Sequence, residues 1–259
     1  MSKIYVIGDT HFGKKYSYLK NYELNISERN LDQIKICEDI IQKAIQDNAE
    51  YVVFLGDVYD RQIVSPTIRK LVRERIFDPL SKNDIPVLLI GGNHDSIRNP
   101  KRGVDILDLE GYPNVSIITK FTNKIIDIDG KKLGFILLPY LHFDVLVAIA
   151  KEQGFTIPHE EHNYIVAQKL IKLYISQMLE NKLNDCDKTF LLGHYYLEGA
   201  KIREIRNPEH IKGEFQFNKD MVQKDKFDWV IFGHVHLKQT MWGDDHVVIP
   251  GSIDRLDMG

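Results

Sequence analysis

Five segments of this sequence share one pattern, in which an apolar, largely β-branched run ends in glycine and is followed by a side chain that can bind a metal ion. The five segments cover residues 4–9, 52–57, 87–93, 189–194 and 229–234. Apolar runs of this length are typical of buried strands, and glycine at a strand end permits a sharp turn. Open α/β sheets bind ligands at the carboxyl ends of their strands. The repeated pattern therefore predicts one polar site at one edge of a sheet.

The order of the predicted elements indicates an α/β (α+β) fold. Strands are predicted over 3–8, 51–55 and 86–91, with one helix over about 27–48 and another that begins at Ser65-Pro66. This alternation favours parallel strands and right-handed crossovers. The later part of the chain adds an Asp129-Gly130 hairpin, a helix over about 160–183, and strands over 115–118, 124–128, 132–138, 188–192, 228–232 and 246–249. We expect a four-layer αββα sandwich that forms a single domain over residues 1–259.

The overall charge is that of an ordinary enzyme surface. The 259 residues include 34 Lys and Arg against 37 Asp and Glu, so a nucleic-acid partner would have to be bound by local basic loops. Cys37 and Cys186 suggest no disulfide framework. The first strand is predicted at residue 3, which leaves no room for a signal peptide, and no apolar run is long enough for a membrane span. We expect a cytoplasmic protein without a membrane partner.

Side chains at these strand ends have the spacing of metal ligands. Asp9 and His11 lie two residues apart, as do His234 and His236, so each pair points to one side of an extended segment. The carboxylate of Asp57 can bridge two cations. The candidate ligands are Asp9, His11, Asp57, Asn93, His194, His234 and His236. Oxygen and nitrogen ligands in this number, without a thiolate, suit two octahedral divalent cations that share Asp57 and a solvent molecule.

The net positive charge of such a site favours an anionic substrate. His94 follows a candidate ligand directly and is a candidate for proton transfer to that substrate. Two divalent cations carry one positive charge more than Asp9, Asp57 and a bridging hydroxide neutralise, which suits a phosphodiester. His94 neighbours Asn93, so we expect its side chain to point toward the substrate and to donate to the phosphate or the leaving oxygen, oriented by Asp95. The alternative is a turn histidine bonded to local backbone.

Five motifs together resemble the calcineurin-like metallophosphoesterase superfamily, in the order of that family and over nearly the whole chain. They are Gly8-Asp9-Thr10-His11, Gly56-Asp57-Val58-Tyr59-Asp60, Gly92-Asn93-His94-Asp95, Gly193-His194 and Gly233-His234-Val235-His236. The resemblance implies the calcineurin-like fold and a di-metal phosphoesterase, with His94 as the catalytic acid. It implies one ion on Asp9, His11, Asp57 and His236. It implies the other ion on Asp57, Asn93, His194 and His234.

Four shorter stretches resemble one branch of that superfamily, the nuclease subunit of SbcCD-type DNA repair complexes. They are residues 9–13, 138–141, 193–200 and 250–253. The resemblance implies a DNA nuclease of DNA repair or recombination that uses manganese and a hydroxide activated by two metal ions. It implies exonuclease activity on duplex ends and endonuclease activity on single strands. It also implies a homodimer and a separate ATPase subunit of the SbcC type, which fits the lack of a G-x-x-x-x-G-K-[ST] motif in this sequence.

Two features depart from that branch. Asp60 stands where many relatives carry a second histidine, so we do not expect this position to help orient the phosphate. The branch also continues past the Gly251-Ser252 stretch into a DNA-capping domain and partner-binding helices, whereas this sequence stops at Gly259. The expectation is a nuclease domain without the capping and partner-binding regions, either as a part of a longer protein or as a short member.

Two alternatives remain open. One is another enzyme of the superfamily, a protein phosphatase or a small-nucleotide phosphodiesterase; the other is a scaffold that binds metal without catalysis. The scaffold is disfavoured because every ligand position and His94 are filled. Basic residues on the flanking loops favour DNA, although they can also be ordinary solvated charges. The candidate DNA-binding residues are Lys14, Lys15, Arg61, Arg98, Lys101, Arg102, Lys201 and Arg203.

Apolar stripes after the second and third motifs suggest where a homodimer would form. The residues are Ile68, Leu71, Val72 and Ile76 in the first stripe, and Val104, Ile106 and Leu107 in the second. The alternative is that both stripes cover the sheet.

Overall fold

The computed structural model describes residues 2–16, 20–95, 105–152, 163–202 and 215–256. The strands are β1 (Ile4–Ile7), β2 (Lys20–Asn21), β3 (Ile26–Ser27), β4 (Tyr51–Phe54), β5 (Val87–Ile90), β6 (Val115–Ile118), β7 (Thr122–Ile128), β8 (Lys131–Leu138), β9 (Lys188–His194), β10 (Tyr196–Leu197), β11 (Gln216–Phe217), β12 (Trp229–Gly233), β13 (Gln239–Met241) and β14 (Asp244–Ile249). The α-helices are α1 (Glu28–Gln46), α2 (Pro66–Val72), α3 (Asp78–Lys82), α4 (Phe143–Glu152), α5 (Asn163–Lys182) and α6 (Lys219–Val222). A π-helical segment covers Arg73–Phe77, and 3₁₀ turns cover Asp105–Gly111 and Lys224–Lys226.

Two large sheets form the centre of the protein. The first has the order β1-β4-β5-β6, and all of its strands are parallel. The second has the order β13-β14-β12-β9-β8-β7, in which β7 and β13 are antiparallel to their neighbours at the two edges. Asp129 and Gly130 join β7 to β8 with φ of 53° and 75°, as a tight hairpin turn requires. The predicted parallel start and the predicted hairpin are both confirmed.

The two sheets pack face to face, and helices cover their outer faces. Side chains alternate along each strand, so Val53 faces the second sheet while Val52 and Phe54 face the helices. The buried residues between the sheets are Val53, Leu55, Leu88, Ile90, Ile126, Ile128, Phe135, Leu137 and Leu192. Buried residues of α1 and α2 pack on the first sheet, and those of α5 and α6 on the second. The predicted four-layer αββα sandwich is confirmed.

Helices α1 and α2 begin where the sequence predicts, whereas the predicted start of the helix near residue 160 lies outside the described residues. The Ser27 hydroxyl accepts a hydrogen bond from the Arg29 N–H at the start of α1, and Ser65 caps α2 ahead of Pro66. The helix that starts as α2 continues through the π-helical segment into α3, which contains Pro79. A proline inside a helix clashes with the turn before it. The wider π-turn directly before α3, in which the Asp78 N–H donates to the Arg73 carbonyl, relieves that clash.

The apolar stripes predicted to form a dimer surface belong to the core. Ile68, Val72, Ile76 and Ile106 are buried between the first sheet and its helices. Leu71 and Leu107 are partly buried against the same cluster, and Val104 lies outside the described residues. The assignment of these stripes to a dimer interface is therefore wrong, because covering the sheet already buries their side chains.

Among the described residues, no helix has both the length and the apolar character that a membrane crossing requires.

Leu88 is 1% exposed in the apolar layer between the two sheets, so truncating its side chain should destabilise the fold strongly. We expect Leu88→Ala to lower the free energy of unfolding by roughly 2–5 kcal/mol, because it leaves a cavity that rigid strands cannot fill. Urea denaturation measures this change. Ile125→Ala is the control, since Ile125 is 47% exposed on β7, and we expect it to change the free energy by less than about 0.5 kcal/mol. Equal effects of the two substitutions would contradict the proposed contact.

Candidate metal centre

The candidate ligands lie where the carboxyl ends of both sheets meet. Asp9, Asp57 and Asn93 follow β1, β4 and β5 of the first sheet, whereas His194 ends β9 and His234 follows β12 of the second. The expectation of a site at one edge of a single sheet is therefore wrong. The site lies between two sheets because the sandwich aligns the carboxyl ends of β1, β4 and β5 with those of β9 and β12.

Two glycines allow this close approach. A Cβ atom on Gly56 would lie 2.4 Å from His194 Nδ1, and a Cβ atom on Gly92 would lie 2.1 Å from Asp57 Oδ1. Gly56 also has a φ of 111°, which L side chains rarely adopt. Both positions therefore need glycine to bring the two halves of the site together.

One cluster of ligand atoms consists of Asp9, His11 and His236, all within 4.8 Å of one another. The Nε2 atoms of His11 and His236 are 3.1 Å apart. Asp9 is fully buried, and its Oδ1 accepts a hydrogen bond of 2.9 Å from the His234 N–H. Its Oδ2 has no hydrogen-bond partner within the described part of the chain. A buried carboxylate oxygen beside two imidazoles is a suitable set of donors for a divalent cation.

A second cluster consists of Asp57, His194 and His234, again within 4.8 Å of one another. Asn93 joins it, because its Oδ1 lies 3.0 Å from His194 Nε2 and 2.9 Å from His234 Nδ1. His194 Nδ1 lies 2.7 Å from the Leu55 carbonyl and donates to it, which leaves Nε2 as the ligand atom. Asn93 and Asp57 therefore complete a second set of oxygen and nitrogen donors.

Asp57 lies between the two clusters. Its Oδ2 is 3.4 Å from His11 Nε2 and 3.3 Å from His194 Nε2, and its Oδ1 accepts a hydrogen bond of 2.9 Å from the His94 N–H. The structure thus brings together all seven candidate ligands in two groups that share Asp57. The donor types and the unpartnered Asp9 oxygen fit two divalent cations.

Three of the candidate ligands have positive φ angles, which are energetically costly for residues other than glycine. His11, Asp57 and His234 have φ of 46°, 50° and 90°. Residues held in such conformations cost about 1–3 kcal/mol each and concentrate at functional sites. The rigid strands on both sides supply the packing that holds these angles.

The buried charges shift the acidity of the site. Burial disfavours the charged form of His194, but the carboxylates of Asp57 and Asp9 outweigh it and raise the pKa of His194 to about 9. Burial also opposes ionisation of Asp57, yet His194 and His11 hold the pKa of its carboxyl well below the usual range. Burial lowers the pKa of His11. Without a bound cation, His194 is therefore protonated at neutral pH and pairs with Asp57.

His94 is held by backbone at the edge of the first cluster. Its Nδ1 lies 2.5 Å from the Asp60 carbonyl and donates to it, so Nε2 is the nitrogen that can exchange a proton. Its ring is 4.7 Å from the His11 ring, edge to face, and it is only half-buried. His94 also forms a group with His11 and Asp57 whose ligand atoms lie within 4.8 Å of one another. Nε2 can therefore contact a substrate at the metal centre.

Asp95 has a different role from the one predicted. Its Oδ2 accepts hydrogen bonds from the backbone N–H groups of Gly92 and Val58 at 3.1 Å and 3.3 Å, and not from the His94 ring. Burial and the charge of Asp57 raise the pKa of Asp95 to about 7. Asp95 thus joins the loop after β5 to the loop after β4, and the expectation that it orients His94 is wrong.

Asp60 belongs to the site, although its sequence position did not suggest a role. Its carbonyl accepts from His94, and its carboxylate Oδ1 lies 3.5 Å from His11 Nδ1. Burial opposes ionisation of Asp60, but contact with His11 lowers the pKa of its carboxyl. Asp60 therefore fixes the His94 ring and places a carboxylate beside that of His11, and only its spacing from Asp57 in the sequence could have indicated this.

The described basic residues lie on loops around the centre. Lys15 and Lys201 are exposed, Lys14 is half-buried, and the Arg61 guanidinium donates to Asp60 at 3.1 Å. The other candidates, Arg98, Lys101, Arg102 and Arg203, lie outside the described residues.

The close approach at Gly92 predicts that Gly92→Ala will abolish binding of at least one ion. The added methyl group would displace the Asp57 carboxylate, whose Oδ1 lies 2.1 Å from the Cβ position. Elemental analysis after dialysis against manganese measures the metal content, and circular dichroism checks the fold. Gly111→Ala is the matched control, because its Cβ would meet nothing within 4 Å. Full metal content in the Gly92→Ala protein would refute the proposed role of this contact.

The raised pKa of His194 predicts that metal binding releases a proton. A ligand histidine must be neutral, whereas His194 without metal is charged below its pKa of about 9. The affinity for magnesium should therefore rise by roughly tenfold per pH unit between about pH 7 and pH 9. Titration calorimetry in two buffers of different ionisation enthalpy counts the protons, and His246→Ala should not change the count. An affinity that does not change over this range would exclude a charged His194.

Comparisons with known proteins agree with this geometry. The family model described as calcineurin-like phosphoesterase matches residues 2–238. A structure described as a 5′-nucleotidase from Staphylococcus aureus superposes with a TM-score of 0.55 at 15% identity and covers 96% of this chain. The chain spans only 48% of that protein. A dimetal phosphatase from Danio rerio superposes with a TM-score of 0.51 at 11% identity, covering 96% of this chain and 87% of that one.

Structural similarity at such low identity supports the fold alone. The family model carries the assignment, because its match includes all seven candidate ligands, His94 and the strands that position them. The chain belongs to the calcineurin-like phosphoesterase family.

Proposed function

We propose that this metal-dependent phosphoester hydrolase cleaves the phosphodiester bonds of DNA, with manganese as its metal. The observation that carries the proposal concerns two of the stretches that resemble SbcCD-type nucleases, 138–141 and 193–200. The buried Tyr195 hydroxyl donates to the Pro139 carbonyl at 3.1 Å and accepts from the Leu141 N–H at 2.8 Å. Tyr195 directly follows His194, so these bonds join the two stretches beside a candidate ligand.

The residues of the site divide the chemistry between them. Two divalent cations, held by the two clusters that share Asp57, would neutralise phosphate charge and lower the pKa of an attacking water. His94 Nε2 is free to donate a proton to the leaving oxygen, because Nδ1 is fixed on the Asp60 carbonyl. The backbone links from Asp95 to Gly92 and Val58 hold the two loops that carry Asn93, His94 and Asp57.

Basic side chains beside the centre are the features that support a polyanionic substrate. Lys14 and Lys15 lie three and four residues after His11, and the Lys14 N–H donates to the His11 carbonyl at 3.2 Å. Exposed Lys201 follows the 193–200 stretch. Lysines in these positions can contact the phosphates that flank the cleaved bond.

A phosphomonoesterase is the second candidate, because the two superposed structures are described as a 5′-nucleotidase and a dimetal phosphatase. Its substrate would need a small pocket for a terminal phosphate in place of a path for a strand. The same metal centre serves both reactions, so the substrate must be found by assay.

One assay separates the candidates. End-labelled duplex DNA, single-stranded DNA, a nucleoside 5′-monophosphate and a phosphoserine peptide are each incubated with the protein and manganese. We expect cleavage of DNA, with single strands preferred, and salt-dependent inhibition because the loops contact phosphates. Turnover of the monophosphate or the peptide, without DNA cleavage, would overturn the nuclease proposal. The Asp57→Asn protein is the control for contaminating nucleases.

We also propose a homodimer and a separate ATPase subunit, both on the basis of the resemblance. The buried stripes at Ile68 and Ile106 cannot form the dimer surface, so another surface must form it. Sedimentation at micromolar concentration tests the dimer, and a strict monomer would contradict it.

The position of His94 predicts a defect in chemistry with metal retained. We expect His94→Ala to bind two ions but to lose roughly 10²–10⁴-fold in rate, the usual contribution of a general acid. Metal analysis and single-turnover kinetics measure both effects. Because His94 also lies within reach of a cation shared with His11 and Asp57, loss of an ion from this variant would instead identify His94 as a ligand.

A further inference from the structure

Three aromatic rings form a surface cluster at one side of the protein. They belong to Phe143 at the start of α4, Tyr164 near the start of α5, and Phe215 directly before β11. The Tyr164 and Phe215 ring centres are 5.0 Å apart, and Phe143 lies 6.4 Å from Tyr164 and 6.0 Å from Phe215. Tyr164 is 37% exposed, and the other two residues are partly exposed. The cluster therefore presents aromatic surface to solvent.

The cluster is fixed before any ligand binds. The Tyr164 hydroxyl accepts from the Gln216 N–H at 3.1 Å. Phe215 packs edge-on against the buried Phe217, with ring centres 5.7 Å apart, and Phe217 contacts Tyr195 at 4.4 Å. These contacts tie the cluster to the residue that follows His194. A ligand bound there would lose little affinity to ordering of the rings.

A chain of ring contacts also connects the cluster to the metal centre. The Tyr140 ring is 6.1 Å from that of His234. The Tyr140 ring also lies 5.5 Å from that of Tyr195, which reaches Phe215 through Phe217, so the Phe215 ring is within roughly 22 Å of the His234 ring. At roughly 3.4 Å per nucleotide, a stacked strand spans that distance with about six or seven nucleotides. A strand with one phosphate at the metal centre can thus bring one of its bases to the cluster.

We propose that Phe143, Tyr164 and Phe215 form a stacking platform for the bases of a single-stranded nucleic acid whose phosphate occupies the metal centre. This inference rests on the proposed nuclease function. Aromatic rings stack with any base, so the platform would bind single strands without sequence preference, whereas paired bases of a duplex present no free face. The platform would thus make the enzyme prefer single-stranded DNA.

The test compares two fluorescent decamers with the same phosphorothioate backbone, one with bases and one abasic. Binding is measured by anisotropy with the whole chain and manganese. We expect the wild-type protein to bind the base-containing strand roughly 5- to 150-fold more tightly than the abasic strand, the usual contribution of one stacked base. The double variant Tyr164→Leu/Phe215→Leu should bring this ratio close to one. A wild-type ratio of one, or a ratio that the double variant leaves unchanged, would overturn the proposal.

Trp229→Leu is the matched control. Trp229 is 39% exposed, like Tyr164, but it lies at the opposite end of the sheet, where β12 begins. It should leave the ratio at its wild-type value, and a fall equal to that of the double variant would contradict the assignment to this cluster. If the double variant fails to fold, 2-aminopurine placed along the strand reports stacking in the wild-type protein. Quenching near the cleaved position supports the platform, and no quenching at any position overturns it.

The two proposals can fail separately. A protein that prefers the base-containing strand through these rings but cleaves no DNA supports the platform and refutes the nuclease. A protein that cleaves DNA without any preference for bases refutes only the platform.

Discussion

The carboxylate of Asp57 is the group that connects the two halves of the site. One of its oxygens lies within 3.4 Å of a nitrogen of His11 and of His194, which belong to different sheets, and the other accepts from the His94 N–H. The glycine before Asp57 gives His194 its space, and Gly92 leaves space for the carboxylate itself. Asp57 therefore lies beside both donor clusters, and the two glycines provide the space that this arrangement needs.

A site of this kind is costly to build. Asp9, Asp57, Asp95 and His194 are all buried, and an uncompensated buried charge is strongly unfavourable. Strained backbone at His11, Asp57 and His234 adds to the cost. The apolar layer between the sheets and the two outer helical layers hold the strand ends rigidly enough to maintain this arrangement. Bound cations would neutralise the buried carboxylates of Asp9 and Asp57. Without cations, protonated His194 pairs with Asp57 and offsets part of that negative charge.

Local patterns predicted most of the fold and the seven candidate ligands that the structure brings together, because a strand that ends in glycine and a polar residue carries its signal in adjacent positions. The division of the ligands between two sheets could not be predicted, since one strand does not encode its neighbours. Similarly, His94 Nδ1 donates its hydrogen bond to the carbonyl of Asp60, which is 34 residues away in the sequence, and not to adjacent Asp95. The stripe at Ile68, Val72 and Ile76 indicated an apolar helix face but not which part of the protein covers that face. The short polar strand β13 was not predicted, because it forms only by pairing with β14.

The central claim is that two cations share Asp57 between the two clusters. Anomalous scattering from crystals grown with manganese tests it most directly, because it locates each ion without assuming a mechanism. We predict two peaks roughly 3.5–4 Å apart, one among Asp9, His11 and His236 and the other among Asn93, His194 and His234, with Asp57 within bonding distance of both. A single peak, or two peaks of which only one contacts Asp57, would contradict this account.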